Sequence, residues 1–398
     1  MERHPQKYAR YAARRMPMTR YARTEESPYL RRALVHAGSD AAMAVSNRMY
    51  HLLHYGDPVA EYWALVEGGT LADVAYERQV EISGPDAMAF AQMLTCRDLS
   101  RCEVGQCKYI FLTNQAGGIV ADPVLLRLDE NRVWLSAADA GVHLWCEGLA
   151  LRSGLDVVVS SPDVAPVQVQ GPRAVDIMTD LFGDEIADLG YFRLVQKVHD
   201  GLELVISRSG WGEALGFEIY VVNARANQNA AAEQWWDTVL RAGERHDLMV
   251  ASPNHVRRIE AGMLAYGCDL DETTNPFEVD MGYAWMVNLN HPEDFVGRAA
   301  LECLRETGPS RRLVGVDIDG PPLGSFVDGL MPRSLDARVD GVSVGSVTSA
   351  CFSPRLDRNI GYVMLPTGLA ALGSRLSIDH PRFGALSATT VEKPHWNP

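Results

Sequence analysis

Two short junctions constrain the fold of this chain most. At Ser83-Gly84-Pro85 and again at Gln170-Gly171-Pro172, a strand-like run ends and a helix-like run begins across a Gly-Pro step. Proline is tolerated in a first helical turn, and Asp86 suits the positive end of a helix. The helices predicted after the steps are Ala87–Leu94 and Ala174–Leu181. A strand–turn–helix unit used twice predicts two related α+β halves, with a break near 155–165.

The rest of the chain fills in around them. Residues 33–66 read as mixed and helical. Leu71–Ile82, Lys108–Leu112, Gly118–Leu128 and Arg132–Ser136 read as strands, with Asp129-Glu130-Asn131 as a hairpin turn. In the second half, Leu202–Arg208 and Gly216–Val222 are expected strands, and Asn229–Ala242 and Asn254–Met263 expected helices. From Leu313 onward the chain is short strands punctuated by Gly and Pro, which predicts a small β-barrel. The expected organisation is a basic N-terminal arm over 1–32, a two-part α+β region over 33–305, and a barrel over 306–398.

Charge and cysteine usage exclude several classes. The 398 residues carry a net charge of −14, yet residues 1–32 carry +6. An acidic body disfavours a nucleic-acid partner. The basic arm is expected to pack on that body or on a second copy of the chain in a homodimer. No run of about 20 uncharged apolar residues is present, so no membrane span is expected. Seven cysteines with no CxxC pair fit a reducing, cytoplasmic compartment better than a disulfide framework, and no metal site is expected. The chain has no GxGxxG, GxxxxGK[ST] or HExxH. Gly341-Val342-Ser343-Val344-Gly345 matches GxSxG but lies among short strands, where a turn explains it better than a nucleophile elbow.

Two acids stand out because they interrupt apolar runs. Asp122 follows Gly118-Ile119-Val120-Ala121, and Glu218 sits between Phe217 and Ile219. A carboxylate buried in a strand needs a partner. Either acid could be structural, or could face a pocket. By strand alternation Glu218 and Tyr220 share one face, near Trp211 in a Gly-rich turn. An acid with aromatic rings could grip a flat heterocycle bearing paired N–H donors. Arg257, Arg258 and Glu260, on an expected helix, read first as structural ion pairs.

With these residues in place, the chain resembles the aminomethyltransferase (T-protein) family of the glycine cleavage system. The resemblance runs from about Leu71 to the C-terminus. It rests on Glu77 to Ala87, Gly117 to Val124, Val169-Gln170-Gly171-Pro172, Ser209 to Tyr220, Arg258 to Tyr266, Asn275-Pro276-Phe277-Glu278 and Gly345 to Ala350. Asp122-Pro123-Val124-Leu125, Trp134 to Asp139 and Ser252-Pro253-Asn254 are most similar to the tetrahydrofolate-dependent demethylase branch.

That resemblance implies a three-domain cloverleaf around a central folate channel, with tetrahydrofolate as cofactor. It implies Asp122 as the catalytic acid and Glu218 as the acid on the pterin. Trp211, Tyr220, Tyr109, Gln170 and Arg258 are the further cofactor-binding expectations. Asn254 stands where the aminomethyltransferases have a folate-gripping Arg, Gly212-Glu213-Ala214 departs from their Thr-Gly-Glu, and Cys268 replaces a common Asn.

The expected reaction moves a methyl group from a small S-, O- or N-methyl donor to N5 of tetrahydrofolate, giving 5-methyltetrahydrofolate. A sulfonium or quaternary ammonium leaves as a neutral molecule, whereas an aryl methyl ether leaves as a phenolate that needs a proton. Tyr50, His51, His54 and Tyr55 are expected at the donor's entrance. The alternatives are aminomethyl transfer and a non-enzymatic folate-binding accessory protein. The accessory signature requires a Cys that Asp294-Phe295-Val296-Gly297-Arg298-Ala299 lacks.

Overall fold

A computed structural model describes residues 24–138, 141–210, 216–324 and 335–395. Most of the basic arm and Trp211 lie outside the described residues. Where the arm's end is described, Arg31 pairs with Glu233, and Arg32 pairs with Asp237 at 2.7 Å. That end packs on the chain's own acidic body.

Residues 33–66 are not mainly helical. The chain runs through β1 (Glu25–Glu26), α1 (Leu30–Ala33), β2 (Ala42–Ser46), β3 (Met49–His54) and α2 (Pro58–Glu67). The three strands form a sheet of order β1-β3-β2. Its hairpin turns on Asn47 and Arg48, with φ of 44° and 62°. A two-residue hairpin loop needs this conformation, and Arg gives little sign of it in a sequence. The helix expectation holds only for α2, which Asp57 caps by accepting from the Val59 and Ala60 amides, worth about 1 kcal/mol.

Leu71–Ile82 is likewise not one strand. It divides into β4 (Gly69–Asp73) and β5 (Arg78–Ser83), which belong to different sheets. After them come α3 (Ala87–Leu94), β6 (Cys107–Tyr109), β7 (Leu112–Thr113), β8 (Ile119–Ala121), β9 (Val124–Asp129), β10 (Arg132–Ala137), α4 (Val142–Ser153) and β11 (Val158–Ser160). The first sheet has order β11-β5-β10-β9-β6, with β7 and β8 as a separate pair. Helices α3 and α4 cover one face over Phe90, Leu94, Val133 and Leu135.

The second sheet is built from β12 (Val164–Gln170), β13 (Leu194–His199), β14 (Leu202–Ser207), β15 (Gly216–Val222) and β16 (Leu248–Val250), in order β13-β14-β15-β12-β4-β16. Helices α5 (Ala174–Phe182) and α6 (Ala226–Gly243) cover its outer face, burying Trp235 and Trp236 against Phe217 and Ile219. The uncovered faces of the two sheets meet at Leu126, Trp134, Val205 and Tyr220.

The two Gly-Pro junctions occupy matching places. Gly84 has φ of 129° and Gly171 has φ of 105°, a region side chains avoid. A Cβ would lie 2.4 Å from Asp156 O at the first and 2.6 Å from Gly68 O at the second.

After α7 (His255–Glu260) and α8 (Arg298–Thr307) the chain closes a barrel: β17 (Arg311–Ile318), β18 (Leu335–Val339), β19 (Val342–Ser353), β20 (Arg358–Pro366), β21 (Arg375–His380) and β22 (Gly384–Val391), in order β17-β20-β19-β18-β21-β22. The fold is α+β with a closed C-terminal barrel. The GxSxG match falls on the turn and first residues of the β18–β19 hairpin.

Candidate active site

A cavity of about 1170 Å³ opens where the two sheets, the β2–β3 hairpin and α7 converge. Its wall includes Tyr109 and Asp122 from the first sheet, Ser209 and Glu218 from the second, and Glu77 from the crossover between β4 and β5.

Asp122 is not inside a continuous strand. It falls between β8 and β9, just before Pro123, where the ladder breaks and the side chain is turned into the cavity. Tyr109 donates to its Oδ2 at 3.1 Å. Burial pushes the Asp122 carboxyl up to about 7, the Tyr109 hydrogen bond pulls against that, and the charge of Asp269 adds to the rise. A carboxyl poised near neutrality can exchange a proton at working pH.

Glu218 is held differently. It alternates with Phe217 and Ile219, so its side chain faces the first sheet rather than the helix layer. Gln168 Nε2 donates to Oε1 at 2.9 Å, while Ser209 Oγ at 2.7 Å and the Tyr220 hydroxyl at 3.0 Å donate to Oε2. These three donors fix a carboxylate's orientation. Among the described residues these are its donors, and of the four acceptor sites on a carboxylate they leave one, on Oε1.

The structure places the other expected residues variously. Tyr109 lines the cavity, as do His51 and His54. Tyr50 does not, although it shares β3 with them. Tyr220 and Gln170 stand behind the wall. Tyr220 supports Glu218, and Gln170 Nε2 donates to Ser209 O at 3.1 Å, holding the segment that presents Ser209. Arg258 is fully buried away from the cavity. It pairs with Asp269, donates to Ser349 Oγ at 2.7 Å and to Met263 O at 3.1 Å, and contacts His255. Its charge is spent on joining α7 to the barrel, as its first reading as a structural ion pair expects. Asn254 does line the cavity, with its side-chain oxygen capping α7 through the Arg257 amide at 2.9 Å.

Sequence reasoning missed Glu77, Gln168 and Ser209. Glu77 lies in a bend just before Arg78 and Gln79, where a charged side chain ordinarily faces water. Gln168 and Ser209 become visible only through the register that sets β12 and β14 beside β15.

His51 is buried and neutral. Its Nδ1 lies 3.0 Å from Leu52 O and its Nε2 3.0 Å from Ser46 Oγ, and burial lowers its pKa to about 4. At the outer part of the wall, Arg97 lies 5.0 Å over the Trp285 ring, which stacks on Tyr283.

The cavity suits a reduced folate. It has the volume for a multi-ring ligand, a largely apolar wall, and a locked carboxylate with acceptor capacity for a ring N–H.

Comparison with known proteins agrees. Residues 34–291 match the family described as GCVT N-terminal domain, and residues 311–397 match the glycine cleavage T-protein C-terminal barrel domain. The chain is 33% identical over 374 residues to a dimethylsulfoniopropionate demethylase of Ruegeria pomeroyi, covering 92% of this chain and 97% of that one. It is 32% identical over 356 residues to an aminomethyltransferase of Symbiobacterium thermophilum, covering 86% and 90%. The glycine cleavage aminomethyltransferase T of Bartonella henselae shares the fold, with a TM-score of 0.80 at 22% identity over 93% of this chain and 98% of that one. Matched across both its paired α+β region and its barrel, the chain belongs to the glycine cleavage T-protein family of tetrahydrofolate-dependent transferases.

Proposed function

We propose that this protein is a demethylase: it transfers a methyl group from a small methylated donor to N5 of tetrahydrofolate. The observation that carries the reading is the contrast between two acids on one cavity wall. Glu218 is locked by three donors, and Asp122 is free to exchange a proton.

Bound tetrahydrofolate supplies a secondary amine, N5, that accepts the methyl and sheds a proton. Glu218 accepts a pterin N–H through its remaining site on Oε1, and Gln168, Ser209 and Tyr220 keep it from turning away. Asp122, ionised above about pH 7, takes up the proton. Tyr109 holds the Asp122 carboxylate in one orientation during that exchange. The apolar part of the wall keeps water from competing for the methyl.

Identity alone does not choose between demethylation and aminomethyl transfer, since both kinds of relative match almost equally. Asn254 supports demethylation. In the resemblance it replaces the Arg with which aminomethyltransferases grip folate, and here its oxygen is committed to capping α7. The donor is better read as an onium than an aryl ether: His51, expected at the donor's entrance, is neutral and therefore a poor acid for a departing phenolate.

The test is direct. Purified protein is mixed with tetrahydrofolate and candidate sulfonium, ammonium or aryl ether donors, and 5-methyltetrahydrofolate is sought by mass. Ammonia released from an aminomethyl-lipoyl carrier protein, with no 5-methyltetrahydrofolate from any donor, would assign aminomethyl transfer instead.

A further inference from the structure

Four carboxyls line the cavity, and they are not equivalent: Glu61 accepts from the Tyr55 amide at 2.7 Å and the Ser252 amide at 3.1 Å. Glu218 has three hydrogen-bond donors and Asp122 has Tyr109. No described residue donates to the Glu77 carboxyl; the bond recorded at Glu77 is to its backbone carbonyl, which accepts from Gln79 Nε2. The residue sits where the chain crosses from the second sheet into the first, so both halves of the molecule wall it in.

Resting on the methyl-transfer reading, we propose that Glu77 is the residue that selects a cationic methyl donor: its carboxyl gives up a proton as a sulfonium or quaternary ammonium enters the cavity. Only the O–H bond of Glu77 changes in this step. Its electron pair stays on the carboxylate, and the proton passes to solvent.

The surroundings of Glu77 support this. The titratable groups that face it are Glu218 on β15, Asp122 beyond β8, Tyr76 beside it and Tyr220 on β15. Burial holds the Glu77 carboxyl well above the usual carboxylate range, and the charges of Glu218 and Asp122 add to that. In the absence of donor both influences favour the neutral acid over the carboxylate. A cation within a few ångströms reverses the balance, since an opposite charge favours the ionised form. An uncharged aryl ether brings no charge that would draw the proton off Glu77 as it binds. Once the methyl has gone, the neutral thioether or amine loses the charge attraction, Glu77 takes a proton back, and product leaves.

Titration calorimetry without folate tests this. The probes are dimethylsulfoniopropionate and the thioether 3-(methylthio)propionate, which keeps the carboxylate and lacks only the sulfonium charge, in buffers of different ionisation heat. Wild type should release up to one proton per sulfonium bound. Its sulfonium affinity should rise by about tenfold per pH unit while Glu77 is protonated, and thioether affinity should stay flat. Glu77→Gln should bind the sulfonium more weakly, with no proton release, and tetrahydrofolate binding by the variant checks that it is folded. The wild-type pH series decides the matter even if that variant does not fold. Equal pH dependence for both probes, or proton release that persists in folded Glu77→Gln, overturns the proposal. No heat from the sulfonium while tetrahydrofolate still binds overturns it and leaves the folate reading standing. No binding of either ligand removes both.

Discussion

The Tyr109 hydroxyl donates to Asp122 Oδ2 at 3.1 Å across the break between β8 and β9, and this is the hydrogen bond that opposes the burial of that acid. The bond favours the ionised carboxylate, so removing it should raise the Asp122 pKa further. In Tyr109→Phe, the rising limb of kcat/KM against pH should move up by about half to one pH unit, the equivalent of a net hydrogen bond of roughly 0.5–1.5 kcal/mol. A limb that stays in place would show that Asp122 is not the group being titrated.

Asp122 should also weaken the protein it serves. Its pKa is raised on folding, from 3.8 to about 7. The folded state therefore binds the proton more tightly than the unfolded state. The cost is absent below about pH 4, grows as pH rises towards 7, and is complete above that, on the order of 4 kcal/mol. Asp122→Asn should be inactive yet more stable than wild type. The gap in thermal midpoint, measured without folate, should widen between about pH 5 and 7 and then level off. A gap independent of pH would mean that the substitution acts through packing alone.

The two acids were legible in the sequence for one reason: each interrupts an apolar run that later proves buried. Helix α3 and strand β15 were legible in full, because a Gly-Pro step or a Gly-rich turn marks where each begins. Strand β3 was not, because its residues pack into the core on one side and line the cavity on the other. Met49, His51, Leu52 and His54 are all buried, and no alternation survives to signal a strand. The Arg258 environment was half legible. Helical spacing suggested an ion pair, but the partner, Asp269, lies beyond the helix and could be found only in three dimensions.

Arg258 offers a test of that placement. Arg258→Ala leaves Asp269 buried and unpaired, which should cost about 3–5 kcal/mol. Arg258→Lys should recover only part of this, because one ammonium cannot reproduce the guanidinium's spread of contacts. For the lysine variant, once folded, tetrahydrofolate affinity by calorimetry should match wild type. A large loss of affinity in a well-folded variant would return Arg258 to the folate site.

His51 should dominate one part of the acid sensitivity. Its pKa falls on folding from 6.5 to about 4. The stability of the neutral form is fully present above about pH 6.5 and is lost as pH falls towards 4, by up to roughly 3 kcal/mol. Asp122 acts in the opposite sense over part of the same range, so the wild-type curve alone would mislead. The comparison is with His51→Gln, whose amide can still bond Ser46 but cannot titrate. Urea midpoints at about pH 7.5 and 5 should show wild type losing more stability on acidification than the variant. A loss of equal size in both would mean that folding does not lower the His51 pKa, so that the ring still charges near its usual pH. It could then lend a proton to a phenolate, and the preference for an onium donor would lose one of its supports.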